Sequence, residues 1–260
     1  MKVGICNPVS EAARVRAARA DFIEENVQSF LAPESSDDAF AEKLAAAAAA
    51  TLPVIAANCF LPGALKCTGP SVDMPRLLKY AETAFVRAGR AGVEAIVFGS
   101  AGARQVPDGW SRDEAFAQFV DLVKRIAPMA RESGVVIVVE PLHRAECNFI
   151  NSLAEGARVV EAASHPSVGL LADIFHMMRD GEGADEIARH GALLRHVHIA
   201  EKAERTPPGV AGDDFGPYLR ALKTAGYEGP ISIECRWKDF AAEAPKAVAF
   251  LRGALAAAGF

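Results

Sequence analysis

The sequence predicts an α/β protein built as one (β/α)₈ barrel, a single domain over residues 1–260, and three observations carry that prediction. Eight short apolar runs recur along the chain, each followed by a polar turn and then by a segment with helical spacing. Several of these runs are continuously hydrophobic, as in Val135-Val136-Ile137-Val138-Val139, which is what strands covered on both faces require. The chain has 260 residues, close to the roughly 250 of a complete barrel, and no linker or break in composition divides it.

The runs place strands near Lys2–Cys6, Phe22–Val27, Pro53–Ala57, Glu94–Phe98, Gly134–Glu140, Val168–Asp173, Arg195–Ile199 and Pro230–Glu234. Between them, Phe116, Phe119, Val120, Val123 and Ile126 recur at spacings of three and four, which predicts a helix from Arg112 to Met129 with Ser111 as its N-cap. The alanine-rich stretch Asp37–Ala50 predicts another by propensity alone, capped by Ser35-Ser36. A last helix over Ala241–Ala258 presents an alanine-rich surface to its own barrel by default, or to a neighbouring subunit. An open doubly wound sheet is the structural alternative, but no G-x-G-x-x-G turn follows the first strand.

Apolar residues make up 51% of the chain and charged residues 23%, the balance of a globular protein with a large core. A net charge of −5 argues against nucleic acid and anionic lipid as partners, because both are held by lysine and arginine. No apolar run approaches the roughly 18 residues that span a bilayer. Five scattered cysteines without C-x-x-C spacing read as reduced thiols, and the N-terminus runs straight into a strand without a signal peptide; a cytoplasmic setting is expected.

In barrels of this kind the reactive groups sit where strands end, so the polar residue closing each apolar run carries the chemistry. Strand five ends in Glu140 and strand six in Asp173; strand seven reads His196-Val197-His198-Ile199, and strand eight ends in Glu234. A lone glutamate after a strand is as often a cap or an ion-pair partner. Four successive strands delivering three acids and an imidazole to one rim are different, because the acids would repel unless a cation held them. The set predicts one divalent metal ion bound by Glu140, Asp173, His198 and Glu234, with Mn²⁺ first and Mg²⁺, Co²⁺ or Zn²⁺ as alternatives. His196 shares a strand face with His198 but lies one layer deeper, where a hydrogen-bonded core histidine is expected.

These residues carry a resemblance. Val139-Glu140-Pro141-Leu142 with Arg144 and Glu146, Asp173-Ile174-Phe175-His176-Met177, His198-Ile199-Ala200-Glu201 and Ile233-Glu234-Cys235 resemble the xylose isomerase-like barrels of the sugar phosphate isomerase/epimerase superfamily, and within it the ketose 3-epimerases. The resemblance implies that Glu140 and Glu234 hold the metal and also act as the acid/base pair, one taking a proton from the carbon beside a carbonyl and the other returning one through an enediolate. It implies substrate contacts from Glu146 and His176, with Arg144 and Arg205 as further candidates, although the loop Glu201–Gly209 departs from the family's spacing. Phe60 and Trp110 are candidates to stack on an apolar sugar face. The stretch Gly99–Arg104 reads first as a flexible loop, and second as a cradle of backbone N–H groups for a phosphate. The expected partner is a sugar or sugar phosphate, and relatives imply dimers or tetramers.

Competing readings follow from the same scaffold. A dehydratase of a sugar or inosose begins with the same proton abstraction, as does an aldose–ketose isomerase. Apurinic endonucleases of the superfamily need histidines from strands two to four, and this chain has none before His143. A non-catalytic sugar-binding barrel would not be expected to keep all four ligands.

Overall fold

The strand-then-helix repeat makes each strand parallel to the one before it, and the computed structural model, which describes residues 1–260, closes the repeat into a barrel. The strands are β1 Val3–Cys6, β2 Phe22–Asn26, β3 Val54–Asn58, β4 Ala95–Phe98, β5 Val136–Val139, β6 Val168–Asp173, β7 Leu194–Ile199 and β8 Ile231–Ile233. Closure is made by β8 returning to β1, with Val3 opposite Ile231 and Ile5 opposite Ile233. The helices are α1 Ala12–Ala17, α2 Asp37–Ala49, α3 Met74–Ala91, α4 Ala101–Arg104, α5 Arg112–Glu132, α6 Leu153–Ala163, α7 Ile174–Asp180, α8 Asp185–His190, α9 Gly216–Thr224 and α10 Phe240–Ala257.

Strand alternation sorts the side chains into two layers. Outward residues such as Ile137, Val139, Val197 and Ile231 join a continuous core of 68 buried residues between strands and helices. Inward residues fill the barrel, where Val97, Val138 and Leu171 form an apolar plug. Phe22 lies across Gly4, at which a Cβ would fall 2.2 Å from the ring, so only glycine fits there. Continued toward the rim, the same inward phase ends in Glu140 after Val138, Asp173 after Leu171, His198 after His196 and Glu234 after Ser232.

The caps form as the sequence predicts: Ser111 Oγ accepts from the Glu114 N–H and Ser36 Oγ from the Ala39 N–H, both at 3.3 Å. The α5 helix continues to Glu132, past the expected end at Met129. The α10 helix buries Ala244, Ala247, Val248, Leu251 and Leu255 against its own barrel. No helix is long and apolar enough to cross a membrane, and all five cysteines are free.

Leu171 is fully buried in the interior plug. Leu171→Ala should destabilise the fold by about 3 kcal/mol, since the barrel wall cannot collapse into the space left. Guanidinium unfolding checks this, and a loss under about 1 kcal/mol would show that the interior repacks freely.

Candidate metal centre and active site

Four successive strands, β5 to β8, bring Glu140, Asp173, His198 and Glu234 together, with ligand atoms all within 4.8 Å of one another. His198 Nδ1 lies 3.1 Å from Glu234 Oε2 and 3.2 Å from Glu140 Oε1. Behind it, Glu24 on β2 is buried and accepts two hydrogen bonds, from His198 Nε2 at 2.8 Å and His196 Nε2 at 2.7 Å. A carboxylate only accepts, so His198 donates from Nε2, and with a metal bound its Nδ1 would turn a lone pair toward the acids, an orientation typical of metal-bound histidine. His196 is the deeper, hydrogen-bonded core histidine that alternation predicts.

The other ligands are held with similar economy of atoms. Asp173 Oδ1 caps α7, accepting from the Phe175 N–H at 2.8 Å and the His176 N–H at 3.3 Å, which leaves Oδ2 for the centre. Asn58, at the end of β3, donates from Nδ2 to Glu234 Oε1 at 3.0 Å. Gly99 follows β4 beside Glu140; a Cβ there would lie 2.0 Å from Glu140 Oε2, so the absence of a side chain makes room for the carboxylate.

Arg205 sits at the middle of the site. Its Nη2 donates to Asp173 Oδ2 at 3.1 Å and to Glu234 Oε2, and its guanidinium lies 4.6 Å above the Phe175 ring. The loop carrying it is tied down by buried Glu201, whose Oε1 accepts from the Gly209 and Val210 N–H groups at 2.6 and 3.0 Å. That anchoring brings Arg205 in despite the unusual loop spacing. His176 is 3.3 Å from Asp173 Oδ2 through Nε2, and its Nδ1 lies 2.7 Å from His143 Nδ1.

The charges respond to this crowding. Burial pushes the Glu140 carboxyl above its usual range, with Glu234 adding to the effect against hydrogen bonding from His198. Burial also acts upward on Asp173, but His176 and Arg205 outweigh it and hold the carboxyl low. For His198 burial opposes the charged form, yet Glu24 and Glu234 prevail and raise its pKa well above normal. Three carboxylate donors, an imidazole lone pair aimed among them and a carboxylate fixing the far imidazole nitrogen fit a divalent transition metal or Mg²⁺.

A cavity of about 310 Å³ opens above the ligands, lined by Glu140, Glu234, Glu146, His176, Arg205 and Asn58 among others. Asp173 and His198 lie beneath it. Three candidates are corrected by the structure. Phe60 is fully buried, packed edge-on against Phe98 at 5.1 Å and beside Tyr80 and Phe85, so it belongs to the core and presents no face to a sugar. Trp110 is half-buried against the same core and does not line the cavity. Arg144 points to solvent and pairs with Asp180 at 3.1 Å. The stretch Gly99–Arg104 contains the helical turn α4 in place of a loose loop, and Arg104 is buried, donating to the Phe98 and Ile150 carbonyls. It is not available to a phosphate.

Glu24, buried in mid-strand behind His198, is a position at the centre that the pattern of strand ends does not single out, whereas Asn58 closes β3 at the rim. The signal for Glu24 was present as Glu24-Glu25 inside an otherwise apolar run, an acid pair that a buried strand accommodates only with partners. Gln28, in a five-residue π-helix over Val27–Leu31, also reaches the cavity and donates to the Cys59 carbonyl at 2.8 Å.

Comparison with known proteins agrees with this architecture. The family model of the xylose isomerase-like TIM barrel matches residues 12–254, and the chain belongs to that family. Its curated relatives include sugar epimerases and proteins named as hydroxypyruvate isomerases; an L-ribulose 3-epimerase of Methylomonas is 33% identical over 119 residues, covering 45% of this chain and 41% of the relative. A 3-dehydro-D-guloside 4-epimerase of Escherichia coli is 30% identical over 117 residues, 45% of this chain and 44% of the relative. These matches therefore span less than half of each curated relative. Among solved structures, a D-psicose 3-epimerase from Clostridium cellulolyticum superposes with a TM-score of 0.85 at 22% identity over 98% of this chain and 99% of that one. A 3-keto-D-glucoside 4-epimerase from E. coli gives 0.82 at 24% identity over 97% and 99%.

Glu24→Gln should weaken Mn²⁺ binding about 10- to 100-fold with the fold retained, because the amide no longer enforces the Nδ1 lone pair. Calorimetric titration with Mn²⁺, alongside circular dichroism, checks this. An unchanged dissociation constant would show that Glu24 does not orient His198.

Proposed function

We propose that this protein is a divalent-metal-dependent sugar epimerase or isomerase that moves a proton at a carbon next to a carbonyl. The observation that carries this reading is the division among the four ligands: Glu140 and Glu234 line the cavity, whereas Asp173 and His198 lie beneath it. Two carboxylates exposed to the same bound molecule can act as base and acid, while the covered pair serves to hold the ion. A bound divalent ion, Mn²⁺ before Mg²⁺, Co²⁺ or Zn²⁺ for this oxygen-rich set, would supply charge stabilisation for the enediolate oxygens.

The chain's own groups do the rest. One of Glu140 and Glu234 takes the proton from the carbon beside the carbonyl, and the other delivers a proton to that carbon or its neighbour. Arg205 keeps Glu234 oriented and offers donors to a substrate oxygen, and Asn58 holds the opposite oxygen of Glu234. His176 and Glu146, on the rim, contact sugar hydroxyls. The relatives named above, epimerases acting at carbon 3 or carbon 4 of sugars, support the class of reaction. The substrate is accordingly a sugar carrying a ketone.

Glu234→Gln and Glu140→Gln should each retain the fold and lower exchange of substrate hydrogen with deuterated solvent by about 10²- to 10⁴-fold. Proton NMR of ketoses incubated with enzyme and Mn²⁺ in deuterium oxide measures this. Undiminished exchange in Glu234→Gln would remove it as acid or base, and a chain that binds no Mn²⁺, Co²⁺ or Zn²⁺ would end the metal-dependent reading.

A further inference from the structure

The cavity above the ligands does not end at their rim. Asn58 and Cys59 form part of its wall and equally part of the wall of a second cavity, of about 280 Å³, over the ends of β1 and β2. Its other lining groups include Asn7, Pro8, Asn26 and Ser29. On the opposite flank, Glu146 and Arg205 are shared with a third cavity of about 190 Å³. The mouth is a trough with the metal ligands under its middle, and the central cavity by itself is large enough for one sugar ring.

The two flanks differ in chemistry. The smaller one carries both signs of charge, with Arg179 and Arg236 set against Glu146 and Glu204. The larger one is lined by no lysine or arginine. Its polar groups include three carboxamides and a hydroxyl, which donate and accept and so suit sugar hydroxyls, beside two carboxylates and two thiols. Several are free to do so: the Asn7 side chain makes no hydrogen bond within the chain, and Asn58 spends only its Nδ2 on Glu234. Asn26 likewise uses only Oδ1, to accept from the Ser29 N–H at 3.1 Å. The carboxylates of Glu24 and Glu25 are also here and disfavour an anion.

We propose that the substrate is a neutral sugar of two units, with the carbonyl-bearing unit above Glu140 and Glu234 and a second, hydroxyl-rich unit in the cavity over β1 to β3. This rests on the epimerase reading above. Chemistry limits the substrate to two sources. If the second unit is attached through the anomeric carbon of the reacting ring, that ring cannot open and its carbonyl must be a ring ketone, as in a keto-glycoside. If it is attached elsewhere, the reacting unit is a ketose within a disaccharide.

The test is solvent-hydrogen exchange by the Mn²⁺-loaded enzyme on D-psicose, D-fructose 6-phosphate, lactulose and the 3-keto derivative of cellobiose, comparing wild type with Ser29→Trp. Ser29 is exposed at the cavity; Asn26 Oδ1 accepts from its backbone N–H, which tryptophan keeps, and only the long bond from its hydroxyl to the Asn26 carbonyl at 3.4 Å is lost, so the indole should fill the space without unfolding the turn. At least one two-unit sugar should show a kcat/KM tenfold or more above both small substrates, and lactulose against the keto-cellobiose identifies which source applies. Ser29→Trp should raise KM for that sugar at least tenfold more than for D-psicose. Equal or better exchange of D-psicose or D-fructose 6-phosphate would overturn the proposal, as would a Ser29→Trp effect equal on all substrates, while leaving the epimerase reading intact. No exchange on any of the four would instead sink the epimerase reading and this proposal with it.

Discussion

Four carboxylates, Glu24, Glu140, Asp173 and Glu234, converge on the single imidazole of His198, and the rest of the site is arranged to make that crowding tolerable. Buried like charges at such distances are strongly unfavourable unless each is hydrogen-bonded or paired. The protein answers oxygen by oxygen. Glu24 is consumed by two imidazoles, Asp173 Oδ1 by the start of a helix, and Glu234 Oε1 by Asn58. Glu140 Oε2 rests in the space that Gly99 leaves empty. Arg205 Nη2 bridges Asp173 Oδ2 and Glu234 Oε2, and these oxygens, Glu140 Oε1 and His198 Nδ1 face a common point.

The two halves of the barrel contribute differently. Strands β5 to β8 supply the ligands, and β1 to β4 supply Glu24, Asn58, Cys59 and the wall of the cavity. Three residues of that mouth, Cys59, Ser100 and Arg205, have left-handed backbone at φ of 54°, 48° and 56°. A non-glycine residue in that region costs on the order of 1 kcal/mol. At the mouth the cost is offset by what the turns achieve: the Ser100 hydroxyl accepts from the Leu61 N–H at 2.9 Å, and Arg205 is delivered to Asp173 and Glu234.

The barrel and the clustering of Glu140, Asp173, His198 and Glu234 are legible because both depend on period-two alternation in buried parallel strands. An inward phase that ends in Glu, Asp, His and Glu on consecutive strands is visible without coordinates. Glu24 is not legible in this way because it lies one layer below the rim, in the middle of β2 and not at its end. Phe60 and Trp110 were misplaced for another reason: position near a rim does not say which way a ring faces. After the left-handed turn at Cys59, Phe60 gains more by joining Tyr80, Phe85 and Phe98 in the core than by meeting solvent. Arg205 is suggested by the resemblance, and its place is set by Glu201 anchoring its loop and by its own bonds to Glu234 and Asp173 on other strands, which no local pattern displays.

Glu24 and His198 are 174 residues apart, and Asn58 and Glu234 are 176 apart. Contacts of such separation carry a large loop-closure cost and join the first half of the barrel to the second. The second half of the barrel supplies the converging acids and the first half sets their orientation, so a small shift of β2 or β3 against β7 and β8 would release His198 and Glu234 while leaving the local fold of each strand intact.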